Sequence, residues 1–336
     1  MCKRFAQAAS ILYLLALLSL LIATSTIGER SWLLLLSLYL PRGLLLLPLL
    51  VLLPLLWWRC HKIWLGLPLG TLLVVLFPLM GLTLHLPHAE RGQPQLRLVS
   101  YNVWFGRRGD AEVVAALQAL RPDVVVAQAT NDRTYQLLRR TYPNFFESSH
   151  AEYAIVSRYP IESSEQAPLL PGTSAPAYVR YTLRTPIGPV DLFSVHPYSP
   201  RPGIESLRGQ GFWVSLKESL WPSAEAERAV TANRDIRQAQ IDTIAVALTR
   251  AAHPVLVAGD TNLPTLSATF ARAFGHLQDG FASVGFGFGY TFPAHKFPWM
   301  RIDRVLADRH FRFAQFLVGS RNGSDHCPVL AVIESK

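Results

Sequence analysis

Two different hydrophobic patterns divide the chain near residue 85. The first part contains three long, nearly uncharged runs rich in leucine, whereas the remainder alternates short apolar runs with polar turns. Because a bilayer core takes about 20 apolar residues, with about 17 as a lower limit, we predict a transmembrane anchor of about three helices over residues 1–85. The three runs cover residues 11–27, 32–58 and 63–84.

The second run is interrupted at Pro41-Arg42-Gly43. We expect residues 44–58 to cross the membrane and residues 32–40 to lie partly at its interface. A cleaved signal peptide is the alternative for the first run, but no small-x-small cleavage site precedes a soluble sequence and further apolar runs follow. A multi-span anchor is the better interpretation.

Basic residues predict which ends of the anchor are cytoplasmic. Lys3 and Arg4 precede the first run, and Arg59 and Lys62 stand between the second and the third. Under the positive-inside rule both positions face the cytoplasm. Three crossings then put everything after the anchor on the opposite side of the membrane, whereas four crossings would reverse this answer.

The part of the chain beyond the anchor has the pattern of one large α/β domain over residues 96–336, joined by a linker at residues 86–95. Alternating strand and helix patterns indicate sheets covered by helices rather than a helical bundle or a β-barrel. Asp110 is expected to cap the first helix. Other helices are predicted at residues 132–141, 212–220, around 241–248 and 266–274. Strands are predicted at residues 96–103, 123–127, 153–157, 179–183, 190–195, 255–258, 302–307, 311–318 and 329–333.

Polar side chains suited to metals or phosphates recur where these predicted strands end. The clearest case is Asp260-Thr261-Asn262, which follows an apolar run, because a rigid strand aims the carboxylate that ends it. Glycine, Asp and Asn are also the ordinary turn formers, so one such strand end indicates little. Their repetition within one domain predicts a shared site. The set comprises Asn102, Gln128, His196, Asp260, Asn262, Asp303, Asp325 and His326.

The net charge of +9 belongs mainly to the anchor. Residues 1–91 carry seven basic and two acidic groups, and the remainder carries 25 basic and 21 acidic groups. So mild an excess does not support tight electrostatic binding of nucleic acid. Three cysteines, two of them in or beside the anchor, cannot form a disulfide framework.

Seven short motifs follow one another along the domain. They are Ser100-Tyr101-Asn102-Val103, residues 123–128, residues 155–161, Val195-His196-Pro197, Gly259-Asp260-Thr261-Asn262, Ile302-Asp303-Arg304-Val305 and residues 323–329. In this order they resemble the motifs of the endonuclease/exonuclease/phosphatase superfamily, the group with the pancreatic deoxyribonuclease fold. Asn233-Arg234, Thr291-Phe292-Pro293 and the hydrophobic N-terminus are similar to a bacterial membrane-anchored branch. The resemblance implies a four-layer α/β/β/α sandwich whose site lies where the loops of the two sheets converge.

The resemblance also implies roles in the hydrolysis of a phosphate ester. Asp260 would position and deprotonate the attacking water, and Asn262 would hold that water or the phosphorus. His326, oriented by Asp303, would face the phosphate, and His196 would be a second imidazole on the phosphate or the leaving group.

The implied metal is Mg²⁺, or Mn²⁺, with Asn102 and Asp325 as oxygen ligands. The chain departs from the family here, because a metal-binding Glu follows the strand-ending Gln in the family and Ala129 stands in its place. We expect a nearby acid to compensate, with Glu152 as the first candidate and Asp132 as the second. Alternatively, Glu152 orients His196, as an acidic residue does in the pancreatic-type enzymes.

These inferences predict a membrane-anchored, metal-dependent phosphoesterase in a bacterial inner membrane, with its catalytic domain on the periplasmic or extracellular side. Its substrate would be a lipid headgroup, a nucleotide or a nucleic acid. A catalytically impaired or inactive relative that binds a phosphorylated ligand is the alternative, because of Ala129. Aromatic residues between positions 281 and 299 are expected either to form a stacking or lipid-facing rim or to pack in the core.

Overall fold

The computed structural model describes residues 2–86, 94–207 and 223–336. Most of the predicted linker and the whole helix predicted at residues 212–220 lie outside these ranges. The first part of the chain is helical, in agreement with its leucine-rich runs. Its α-helices are α1 (Cys2–Thr26), α2 (Trp32–Tyr39), α3 (Leu47–Arg59) and α4 (Gly66–Val74).

Two helical segments within the described residues are long and apolar enough to cross a membrane, Lys3–Thr26 and Lys62–Leu79. A third span exists only if Trp32–Tyr39 and Arg42–Trp58 count as one, and the two pieces meet at a bend of 90°. This bend lies at the interruption seen in the sequence. Candidate spans near the N-terminus are therefore present, and the number of three stays a prediction.

The remainder is a mixed α/β structure built on two six-stranded sheets. The strands of the first sheet are β2 (Gln95–Asn102), β3 (Val124–Gln128), β4 (Phe146–His150), β5 (Tyr153–Ser157), β13 (Phe311–Val318) and β14 (Val329–Ser335). The second sheet contains β6 (Ile161–Gln166), β7 (Tyr178–Thr185), β8 (Gly188–Val195), β9 (Val255–Asp260), β10 (Gln278–Asp279) and β12 (Asp303–Ala307). The first sheet has the strand order β13-β14-β2-β3-β5-β4, and the second has the order β10-β12-β9-β8-β7-β6.

The two sheets pack face to face, with helices on both outer sides. Inward side chains such as Leu98, Ile155, Leu192 and Val305 form one buried cluster between the sheets. The outer face of the first sheet is covered by α5 (Asp110–Leu120) and α6 (Asp132–Thr141). The outer face of the second is covered by α8 (Ala224–Thr249) and α9 (Ala268–Phe274). The short helices α7 (Arg201–Glu205) and α10 (Gly280–Val284) lie in connections.

The strand directions bring several strand termini to one edge of the sandwich. Strand β2 is parallel to β3, and β8 is parallel to β9, so the carboxyl ends of these four strands share an edge. Strands β12, β14 and β5 are antiparallel to their neighbours, so they begin at that same edge. Residues at these termini can therefore meet although they lie far apart in sequence.

The structure differs from the expected elements at a few positions. Asp110 is the first residue of α5 rather than its cap, and Gly109 occupies the N-cap position. Strands β4 and β6 were not expected, because their sequences FESSH and IESSEQ lack an apolar period. Both are edge strands with exposed side chains, so sheet pairing rather than local pattern defines them.

The N-terminal helical part packs directly against the two-sheet domain. Leu35 and Leu38 of α2 belong to a buried cluster with Val230 of α8 and with Met300 and Ile302. Farther along the chain, β1 (Thr83–Leu84) pairs with β11 (Phe286–Gly287) in a small separate sheet.

Glu29, between α1 and α2, is a buried acid that also joins the N-terminal helical part to this domain. Its carboxylate accepts hydrogen bonds from the hydroxyl of Ser267 and, at 3.4 Å, from the backbone N–H of Thr269. These contacts lie at the beginning of α9.

Candidate active site

The predicted polar residues converge at the shared edge of the two sheets. Asn102 and Asp260 end β2 and β9, and Asp303, paired with Asp260 in the β12–β9 register, begins β12. His196 follows β8, and His326 precedes β14. Backbone pairing in the sheets fixes Asn102, Asp260 and Asp303, and each of the two histidines lies within three residues of a strand end.

Asp260 lies at the centre of the site. Its Oδ2 atom accepts a hydrogen bond from Nδ2 of Asn102 at 3.1 Å, and it lies 3.7 Å from Nε2 of His196 and 3.6 Å from Nε2 of His326. The other carboxylate oxygen accepts the backbone N–H of Asn262 at 2.9 Å. This buried carboxylate is therefore oriented by two hydrogen bonds and faces two imidazoles.

A glycine and a positive φ shape the backbone on either side of Asp260. Gly259 has φ +155°, and a Cβ atom there would overlap the backbone oxygen of Val195 in β8. Glycine therefore lets β9 approach β8 closely just before Asp260. Asn262 has φ 50°, and its side-chain amide donates to the oxygen of Pro197 at 2.9 Å.

His326 and Asp303 form a buried pair. Nδ1 of His326 lies 2.9 Å from Oδ2 of Asp303. Burial by itself lowers the pKa of His326, but the carboxylates of Asp303, Asp260 and Asp325 outweigh it, so the pKa rises to about 9. The imidazolium is therefore favoured at neutral pH and presents Nε2 as a donor.

His196 is paired with Glu152, which precedes β5. Nδ1 of His196 lies 2.6 Å from Oε1 of Glu152, so Nε2 points toward Asp260. Burial lowers the pKa of His196, yet the charge and hydrogen bond of Glu152 outweigh it and the pKa is raised. Glu152 thus occupies the orienting position of our second alternative. Asp132 lies exposed in the first turn of α6, and it is not one of the described residues that line the cleft.

Asp325 and Asn102 are linked through Ser324. The hydroxyl of Ser324 donates to the backbone oxygen of Asn102 at 2.7 Å and lies 3.4 Å from Oδ1 of Asp325. Oδ1 of Asn102 accepts the backbone N–H of Trp104 at 3.1 Å. The second oxygen of Asp325 lies 3.4 Å from Nη2 of Arg201, a cation that the sequence did not suggest.

The donors in this site fit a hard divalent cation. Carboxylate and amide oxygens predominate, and the ligand atoms of Asp260, Asp303 and His326 all lie within 4.8 Å of one another. Ala129 lines the same cleft with φ 50°, so the site lacks a carboxylate at that position. Gln128 is fully buried beneath the site, where its Nε2 atom donates to the hydroxyl of Ser194 at 3.0 Å.

The cleft above these residues has a volume of about 540 Å³. Its floor is polar, with Asn102, Asp260 and His326, whereas the walls are largely apolar. Sequence reasoning missed several of the residues that form the walls, because nothing local marks them. The missed residues are Leu36, Tyr39, Leu40, Pro41, Trp104, Phe105 and Ile204.

The aromatic residues between positions 281 and 299 divide between both expected roles. Phe281 packs in the core, whereas Phe286 is 68 % exposed and Phe297 is 77 % exposed. Phe292 packs against His326 with ring centroids 4.7 Å apart. Trp299 lies in the cleft wall.

The Glu152–His196 contact leads to a testable prediction. In Glu152→Gln the amide oxygen can still accept the imidazole N–H, but the charge that raises the pKa of His196 is lost. We expect kcat to fall about tenfold while Mg²⁺ affinity stays unchanged, because Glu152 would act through His196. Calorimetric Mg²⁺ titration beside kinetics distinguishes the alternatives, since a large loss of Mg²⁺ affinity would assign Glu152 to the metal instead.

Fold and site together define a class of two-sheet α/β proteins with a carboxylate, amide and imidazole cluster at the common sheet edge. Residues 99–326 match the model of the Endonuclease/Exonuclease/phosphatase family. This chain belongs to that family, which comprises hydrolases such as nucleases and phosphatases. Its members are typically dependent on a divalent metal.

Solved structures agree with this fold. An endonuclease/exonuclease/phosphatase family protein from Bacteroides thetaiotaomicron is 15% identical, with 73% of this chain and 100% of that chain covered and a TM-score of 0.51. TDP2 from D. rerio, complexed with a single-strand DNA product, is 17% identical, with 72% and 99% covered and a TM-score of 0.52. A mannosyl-6-phosphatase from Bacteroides thetaiotaomicron is 15% identical, with 71% and 99% covered and a TM-score of 0.50. No curated protein matches the chain in sequence.

Proposed function

We propose that this protein is a membrane-anchored, divalent-metal-dependent phosphoesterase. The observation that carries the proposal is the environment of Asp260, whose Oδ2 lies 3.1 Å from the amide of Asn102 and within 3.7 Å of two imidazoles. Such a cluster combines a proton acceptor with two proton donors around one small space. Family membership supports hydrolysis of a phosphate ester as the reaction.

Asn102 and Asp325 are the residues that we propose hold Mg²⁺ or Mn²⁺. Their oxygens suit these ions, and Asp260 lies beside Asn102. The bound ion would polarise phosphoryl oxygens and neutralise their charge. Because Ala129 supplies no carboxylate, we propose that water and substrate oxygens fill the remaining positions.

The proposed reaction exchanges one P–O bond for another. A water molecule oriented by Asp260 and Asn262 attacks phosphorus and gives its proton to Asp260. His326, held by Asp303, donates a hydrogen bond to a phosphoryl oxygen. The bond to the leaving group breaks, and the leaving oxygen takes its proton from His196.

The proposed site faces the side of the membrane opposite to Lys3. At one end of the anchor, Sγ of Cys60 lies 3.8 Å from the backbone oxygen of Lys3. At the other end, next to the two-sheet domain, Nη1 of Arg42 donates to the oxygen of Leu79 at 2.6 Å. Along the chain, Lys3, Arg42, Cys60 and Leu79 therefore lie at alternate ends of the anchor. This arrangement supports three membrane passes and, by the positive-inside rule, a periplasmic or extracellular site. An alkaline phosphatase fused to the C-terminus tests this, because an inactive fusion would contradict it.

A direct assay of the full chain in detergent tests the function. Bis-p-nitrophenyl phosphate is expected to be hydrolysed when Mg²⁺ or Mn²⁺ is added, and EDTA is expected to stop the reaction. An Asp260→Asn preparation made in parallel excludes a contaminating phosphatase. Absence of turnover with phosphodiesters and phosphomonoesters, at any metal concentration, would instead favour the non-catalytic relative that Ala129 suggests.

Restoring the missing carboxylate is expected to strengthen metal binding. Ala129 already has φ 50°, so Ala129→Glu adds an oxygen ligand without a new backbone cost. We expect Mg²⁺ affinity to rise about tenfold and activity at low Mg²⁺ to rise with it. Ala151→Glu is the matched control, because Ala151 also has φ 50° but lies exposed outside the cleft. Equal Mg²⁺ affinities in all three proteins would contradict the proposed ligand position.

A further inference from the structure

One wall of the catalytic cleft is built by the anchor. Leu36, Tyr39, Leu40 and Pro41, from α2 and its exit, line the same cavity as Asp260. Tyr39 is buried, and its hydroxyl donates to the backbone oxygen of Asn262 at 3.0 Å. The backbone oxygen of Tyr39 in turn accepts Nε1 of Trp299 at 3.1 Å. The hydrophobic N-terminal part is therefore a structural component of the site.

This wall connects the polar floor of the cleft with the part of the chain that we propose faces the membrane. Only five residues separate the beginning of α2 from the end of α1, a helix apolar enough to cross a bilayer. Leu40 is 58 % exposed and Leu44, just beyond the cleft, is 57 % exposed. An apolar path thus runs from the catalytic groups to the lipid-exposed part of the anchor.

The other walls of the cleft are apolar in part. Phe292, Trp299 and Ile204 are apolar or aromatic, and they face the polar floor. The exposed Phe297 lies on the same 292–300 segment, and it shares a second cavity with Met80 and Phe286. Exposed aromatic side chains next to the end of a span are suited to the interface between membrane and water.

The charge of the cleft disfavours a polyanion. Among the described residues that line it, two are Lys or Arg, namely Arg201 and Lys296, three are His, and three are Asp or Glu. A nucleic-acid site needs a row of cations that neutralises successive phosphates. A single phosphate beside an apolar chain matches the observed surface better.

We infer that the substrate is an amphiphilic phosphoester of the bilayer, whose apolar chain lies along Leu36, Leu40 and Pro41 while its phosphate reaches Asp260. This inference rests on the proposed phosphoesterase activity and adds the class of substrate. The anchor would then select the substrate as well as hold the enzyme at the membrane. Each methylene that packs against the leucines contributes a factor of about four in affinity.

Two chromogenic diesters that differ only in chain length test the inference. The full chain, in detergent micelles, is assayed with p-nitrophenyl methyl phosphate and p-nitrophenyl hexadecyl phosphate. We expect kcat/KM for the hexadecyl diester to exceed that for the methyl diester by about tenfold or more. In Leu36→Ser and Leu40→Ser this ratio is expected to fall several-fold.

Leu33→Ser is the matched control, because Leu33 lies on the same helix, is 52 % exposed and does not line the cleft. Partition of the hexadecyl diester into micelles is equal for all variants. If the ratio of the two kcat/KM values falls only in the variants at positions 36 and 40, the fall therefore reports the loss of contacts between the apolar chain and the cleft wall. Equal kcat/KM for both diesters would overturn the inference and leave the phosphoesterase intact. Faster cleavage of a single-stranded oligonucleotide would also overturn it, and no hydrolysis of any ester would overturn both.

Discussion

Asp260→Asn is expected to lower kcat for phosphoester hydrolysis about 10³-fold, the middle of the range for loss of a general base. The amide has nearly the same shape but cannot accept the proton of the attacking water. It also has one oxygen, whereas the carboxylate accepts both the amide of Asn102 and the backbone N–H of Asn262. Steady-state kinetics with bis-p-nitrophenyl phosphate at saturating Mg²⁺ measure this loss.

Asp191→Asn is the control for nonspecific damage. Asp191 is a similarly buried carboxylate near the opposite end of β8, where it accepts hydrogen bonds from Thr182 at 2.8 Å and from Ala252 at 3.0 Å. Its replacement costs stability but leaves the catalytic edge in place. A similar loss of kcat in both variants would contradict a specific role for Asp260.

Asp279→Asn is expected to lower the free energy of unfolding by about 3–5 kcal/mol, the usual cost of removing one partner of a buried ion pair. Asp279 lies 2.6 Å from Nη1 of Arg301 and 2.7 Å from Nη1 of Arg304, and both guanidinium groups are buried. The neutral amide leaves two buried positive charges without a counter-charge. Chemical denaturation in a fixed detergent, followed by tryptophan fluorescence, measures the change.

Asp242→Asn provides the comparison for an exposed pair. Asp242 lies 3.6 Å from Nη2 of Arg272, and both side chains are more than half exposed. The expected change is within about 0.5 kcal/mol. Equal effects at positions 242 and 279 would show that the buried pair contributes no more than a solvated one.

The same carboxylate predicts a pH dependence of stability. Burial raises the pKa of Asp279, but Arg301 and Arg304 outweigh it and lower the pKa to about 2, against about 3.9 in an unfolded chain. A lowered pKa means that the stabilisation is complete above pH 4 and is lost as the pH falls from about 4 to about 2. The stability difference between the wild type and Asp279→Asn is therefore expected to narrow by about 2–3 kcal/mol over that interval. A difference independent of pH would contradict the ion pair.

Local patterns sufficed to predict many elements and most of the polar cluster. The expected strand at residues 153–157 and the expected helix at residues 132–141 agree with the structure, because a strand buried at every position is a short apolar run and an amphipathic helix shows a helical period. Asn102, His196, Asp260 and His326 lie at strand termini that the apolar runs had already marked. Edge strands β4 and β6 were not predicted, because their exposed side chains show no apolar period in the sequence.

Partners across the fold required the tertiary structure. The sequence leaves two roles open for Glu152, metal ligand or partner of His196, and the packing of one sheet on the other places its Oε1 atom 2.6 Å from Nδ1 of His196. Arg201 comes from a connection without a sequence pattern, yet its guanidinium approaches Asp325.

By itself, the sequence determined that this protein has apolar N-terminal helices, an α/β domain and polar groups at its strand ends, because each of these depends on neighbouring residues. The tertiary structure alone decided that α2 forms a wall of the cleft. Tyr39 and Asn262, which meet there, are 223 residues apart in the chain. Contacts over such separations depend on how complete surfaces pack, and no local pattern records that packing.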